Sequence, residues 1–159
     1  MNRLINQYAF CFVVLLGALG CNGLTFENEG RIDFQRFQSV TVLPITIEGI
    51  YQFDNFGATE DAYSYLVEEL RASSGFRTVA SHQFSASDTE LSVWISTREQ
   101  YDYDTDEITY SVQTKFLLTD FRGVELYSGS SSDSGTDLSV AVNETLSDVS
   151  HFFLMPYRI

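Results

Sequence analysis

Apolar and polar residues alternate most regularly in two places. Leu91, Val93 and Ile95 alternate with Ser92, Trp94 and Ser96, and Ile108, Tyr110, Val112, Thr114, Phe116 and Leu118 fall on one side over eleven residues. Both runs predict half-buried strands. DFRG at Asp120–Gly123 predicts a tight turn, and VELYSG after it a returning strand. Upstream, Val40 and Val42 alternate, Pro44 interrupts, and Ile45 and Ile47 resume on a shifted face, which predicts an edge-leaning strand bulged at the proline.

A different period marks the helices. Thr59 offers an N-cap, Glu60 and Asp61 fill the first turn, Ala62, Leu66 and Leu70 repeat at four, and Gly75 closes the run. Phe76–Ala80 predicts a short strand. Leu138, Val142, Thr145, Leu146, Val149 and Phe153 keep helical spacing up to Pro156. Between the last strand and this helix, SGSSSDSGT at 128–136 reads as a flexible connection. The order β-α-β-β-β-β-α predicts an α+β domain: a mostly antiparallel sheet of four or five strands with both helices on one face.

The first twenty residues belong to another pattern. MNRLINQ carries one charge, at Arg3, and YAFCFVVLLGALG at 8–20 carries none. As a helix that apolar run spans about 20 Å, short of a ~30 Å hydrocarbon core, so it predicts an export signal and not a membrane anchor. Ala18-Leu19-Gly20-Cys21 resembles the bacterial lipoprotein cleavage motif, in which the residue after the cut is a lipid-modified cysteine. Cys11 leaves with the signal, so Cys21 has no partner in the mature chain. The domains expected are a signal peptide at 1–20, a lipidated tether at 21–31 and a single folded domain at 32–159. Acyl chains on Cys21 anchor the domain to a membrane. Asn22, where lipoproteins retained at the inner membrane carry Asp, implies the outer membrane.

Charge removes one class of partner. Nine Lys and Arg face 22 Asp and Glu in 159 residues, a net −13 that becomes −14 once Arg3 is lost. Nucleic acid needs clustered cations that this chain lacks, so no nucleic-acid partner is expected. An apolar content of 44% with 14% aromatics predicts a folded chain all the same.

A lipidated cysteine, the strand SVTVLPI, the strand TELSVWIS, the hairpin FLLTDFRGVELYSG and a final amphipathic helix resemble the small outer-membrane lipoproteins with an α/β sandwich, the LptE-like lipopolysaccharide-assembly lipoproteins among them. DFQRFQSVTVLP is similar to the opening of a second group, small lipoproteins of unknown function. The resemblance implies a non-catalytic accessory that supports an envelope partner such as a β-barrel. It also implies basic side chains for lipid A. Here the cations after Cys21 are Arg31, Arg36, Arg71, Arg77, Arg98, Lys115, Arg122 and Arg158, outnumbered by acids, which argues against direct lipopolysaccharide binding and leaves the scaffold role untouched.

Candidate chemistry is sparse. Asp102, Asp104 and Asp106 in YDYDTDE fall two apart like the start of a calcium loop, but Glu107 stands where the turn needs Gly and Gln113 where a bidentate Glu should close the cage. An acidic hairpin end is the plainer reading, and these three residues are the weak metal candidates. His82 and His151 have no second ligand at metal spacing, and no cofactor motif occurs. The chain is not expected to be an enzyme. A small hydrolase using the acidic segment would need burial to raise one carboxyl, and a small-ligand or lipid carrier would need space between sheet and helices. Tyr51, Phe53 and Phe56 are the candidate partner contacts, since aromatic anchors dominate interface energetics. Phe152, Phe153, Met155 and Tyr157 read as packing of the last helical turn.

Overall fold

The structure is a computed structural model that describes residues 25–26, 33, 35–49, 55–81 and 87–154. Strands β1 (Thr25–Phe26), β2 (Ser39–Val42) and β3 (Thr46–Gly49) precede helix α1 (Asn55–Ser73). Strands β4 (Thr78–Ser81), β5 (Thr89–Asp102), β6 (Glu107–Asp120) and β7 (Glu125–Gly135) follow, and helix α2 (Leu138–Phe152) comes last. Among the described residues seven strands form one sheet in the order β1-β7-β6-β5-β2-β4, with β3 also paired to β5.

The fold is α+β, as the pattern predicted, but the sheet is mixed. β5, β6, β7 and β1 pair antiparallel. β2 runs parallel to both β4 and β5, and β3 runs parallel to β5. The cause is the connection: β2 leads into a helix laid on the sheet, and a strand returning from such a crossover enters in the original direction. β2 is internal, between β5 and β4, while β3, the part after Pro44, pairs with β5 alone among the described residues. The predicted irregularity at Pro44 is present, since the chain takes four steps from Val42 to Thr46 while β5 takes three from Leu91 to Trp94.

Two more expectations need correction. Helix α1 opens at Asn55, four residues before the expected cap at Thr59. The 128–136 segment is no flexible connection either: all but its last residue belongs to β7, paired residue for residue with β6 from Tyr127 to Gly135. Its inward positions are small because α2 packs closely there. Gly129 and Ser131 are buried, and the Ser131 hydroxyl donates to Asp148 Oδ2 on α2 at 2.6 Å. Two residues of the expected tether, Thr25 and Phe26, add a short edge strand opposite Ser130 and Gly129.

One core lies between the sheet and the two helices, built from the inward rows of β5 and β6 and from Leu66, Leu70, Leu146 and Val149. At its end Phe153 packs at ring-centroid distances of 5.6 Å from both Phe116 and Phe76. The side chain of Asp137 starts α2 by accepting from the amides of Ser139 and Val140 at 2.9 and 3.2 Å. The hydroxyls of Thr114 on β6 and Thr145 on α2, both fully buried, meet at 2.7 Å.

Candidate functional site

Two surfaces stand out once the core is placed. The first is the free end of the β5–β6 hairpin. β3 stops opposite Thr97 and β7 stops opposite Tyr110, while β5 and β6 stay paired out to Asp102 and Glu107. The last turns of the hairpin therefore form a two-stranded arm without described strand neighbours. Alternation puts Tyr101 and Ile108, which face each other in register, on the side that carries the core further down. Helices no longer cover them: Tyr101 is 40% exposed, Ile108 39% and Tyr103 88%.

The arm's tip is ordered by its own acids. Asp106 adopts a left-handed φ of 60°, and its amide donates to the Asp102 carbonyl at 2.9 Å. Asp102 Oδ1 accepts from the Asp104 amide at 2.9 Å, and this backbone hydrogen bond holds the Asp102 carboxyl below its ordinary range. The Tyr101 hydroxyl donates to Asp106 Oδ1, and the Tyr101 and Tyr103 rings meet edge-on at 4.9 Å. Among the described residues no three His, Cys, Asp or Glu side chains come together in a group that could hold a metal ion, so Asp102, Asp104 and Asp106 do not converge on one. They shape a turn and stay in water.

The second surface is the sheet face opposite the helices. Trp94 is 41% exposed in the middle of it, with Lys115 directly across on β6 and Thr46 on β3. The outward positions of β7 are Ser128, Ser130, Ser132 and Ser134. Ser92 and Ser96 lie on the same outward row of β5 as the indole.

The remaining candidates divide into placed and unplaced. Phe153 is fully buried and Phe152 packs 5.1 Å from Phe116, so both serve the core. His151 is exposed on α2. Cys21, Tyr51, Phe53, His82, Met155 and Tyr157 lie outside the described residues, as does the side chain of Phe56, whose backbone belongs to α1. The sequence reading missed the arm and the tryptophan face. Their signals were the length of β5 and β6, at 14 residues each against a usual 5–6, and a lone Trp on the outward beat of an alternating strand.

The fold and these surfaces define an α+β sandwich: one mixed sheet with two helices on one side. No family model matches the chain, and no curated protein matches it. Solved structures do share the fold. A point variant of the PelC dodecamer from Paraburkholderia phytofirmans superimposes with a TM-score of 0.62 at 20% identity, over 83% of this chain and 96% of that one. A second PelC dodecamer structure from that organism gives 0.61 at 18% identity, over 84% and 99%. A DUF330 protein from Xanthomonas campestris gives 0.53 at 15% identity, over 72% and 80%. At these identities the likeness is one of fold.

Proposed function

We propose that the protein is a non-catalytic lipoprotein, anchored through Cys21 to the outer membrane with its domain in the periplasm, that docks onto another component of the cell envelope. The observation that carries the reading is the β5–β6 arm. A two-stranded ribbon is marginal in water on its own. This one carries Tyr101, Tyr103 and Ile108 uncovered at its end, and tyrosine is among the residue types that anchor interfaces. The lipid confines the arm to a thin layer and raises its effective concentration near a partner. An LptE-like role beside a β-barrel is the form of docking that the sequence resemblance suggests. Likeness to a chain that forms a dodecamer makes a second copy of this chain the other partner to test.

The test is affinity isolation of the lipidated protein from gently solubilised membranes, beside a Cys21→Ala form and a Tyr101→Ser, Ile108→Ser form. The expected result is a stoichiometric partner with the first, depleted in both variants, while the arm variant still fractionates with membranes. Recovery of the lipidated protein alone would sink the docking reading.

A further inference from the structure

The geometry of the β5–β6 arm makes it a surface, and its charge selects what that surface takes. Residues 98–110 carry Glu99, Asp102, Asp104, Asp106 and Glu107 against Arg98, five carboxylates to one guanidinium and a net −4. All six of these side chains are exposed. Glu99 shares the inward row of β5 with Tyr101, about 7 Å along the strand, so a carboxylate stands beside the uncovered Tyr101 and Ile108.

Such a surface is repelled by its own kind and by anionic lipid, and is drawn to cations. Two copies of the arm would set −4 against −4. Nor does the rest of the chain offer a cationic face to a second copy's arm among the described residues. Arg36, Arg77 and Arg122 share the opposite end of the sheet with Asp33, Asp88, Asp120 and Glu125, where Arg122 and Arg36 both act on the Asp120 carboxyl. Arg71 stands one turn after Glu68 on α1. Arg98 and Lys115 lie on the sheet face that also carries Glu48, Glu90, Asp102, Glu107 and Glu125.

The backbone narrows the class of cation to protein. No described strand pairs with β5 beyond Thr97 on its outer edge, or with β6 before Tyr110 on its own, so the peptide groups there can take a strand from a partner. Tyr101 and Ile108 supply apolar anchors beside those edges.

We propose that the arm docks on a positively charged face of a partner protein, its carboxylates steering the encounter and meeting lysines and arginines around the place where Tyr101 and Ile108 seat. The inference rests on the docking role and names the class of partner.

Two synthetic peptides serve as probes, one alternating Arg and Val, the other alternating Glu and Val. Each is offered to the full-length lipidated protein in nanodiscs of phosphatidylcholine, and association and dissociation are followed by interferometry. The expected result is binding of the Arg-Val peptide alone, weakened about tenfold between low salt and about 0.5 M. Glu99→Gln, Asp104→Asn and Glu107→Gln together, which leave Asp102 and Asp106 to order the turn, should weaken it about tenfold at low salt, chiefly through the association rate. Tyr101→Ser with Ile108→Ser should speed dissociation and keep the salt dependence. Equal binding of both peptides, binding of neither, or Arg-Val binding that the triple variant leaves unchanged overturns the inference. Membrane isolation judges docking separately. A partner lost from the Tyr101→Ser, Ile108→Ser form but retained in full by the triple variant overturns this inference and leaves docking standing. Recovery of the lipidated protein alone overturns both.

Discussion

Removing the buried hydroxyl pair between β6 and α2 should destabilise the domain less when both partners go than when one goes. Thr145 Oγ1 lies 2.9 Å from the Val142 carbonyl and 2.7 Å from Thr114 Oγ1, and neither threonine has solvent access. Its single proton serves the carbonyl, so Thr114 is the donor within the pair. Thr114→Val keeps the shape and removes one neutral hydrogen bond, leaving Thr145 satisfied by the carbonyl, at a cost of about 1 kcal/mol. Thr145→Val instead strands the Thr114 hydroxyl in a dry site, at about 1–3 kcal/mol. Valine at both positions leaves no stranded group and should be nearly neutral. The interaction energy of the cycle is then about 2–4 kcal/mol, in favour of the double variant. Urea unfolding of the four proteins, followed through Trp94 emission, measures it. Simple additivity of the two single costs would refute the hydrogen-bond assignment.

Three further outcomes follow from the same geometry. Asp137→Ala removes the cap of α2 and should cost about 1 kcal/mol in urea unfolding, with Asp137→Asn costing less. Backbone hydrogen bonds hold Asp102 and Asp120 below the ordinary carboxylate range, and the Ser139 hydroxyl does the same for Asp137. Their folded values lie below their unfolded ones, so the stability they contribute is present above the ordinary value and lost as pH falls through the lowered one. The urea midpoint should therefore fall below about pH 4, and less steeply in Asp120→Asn. Phe153→Ala empties the site between Phe76, Phe116 and Phe152 and should cost about 3–5 kcal/mol, read as a drop in thermal midpoint.

What the sequence made legible follows from how much each side chain is worth on burial. Leu91, Val93 and Ile95, and Val112, Phe116 and Leu118, all lie on the inward rows that alternation assigned, because a one-residue slip would turn every one of them to water. α2 kept its spacing for the same reason. VELYSG was legible as the start of β7, but the rest of the strand was not, because its inward residues beside α2 are small: a helix that comes close enough for Ser131 to reach Asp148 leaves no room for the large apolar groups that signal a strand. Strand direction was illegible in principle, since alternation records faces and not partners. The parallel pairing of β2 with β4 and β5 was therefore not foreseen. The acidic segment at 102–107 was read correctly as a hairpin end. Its exposed apolar residues were not, because Tyr101 and Ile108 continue the inward row of β5 and β6 and become a surface only where the helices stop.

The anchor carries the proposed function, since the confinement of the arm near a partner depends on it. Intact mass and N-terminal fragment analysis of the mature protein from its own membranes test it directly. The account predicts a chain that begins at Cys21, heavier than residues 21–159 by the mass of its acyl groups, with the excess on the first fragment. An unmodified chain, or one cut elsewhere, would contradict it.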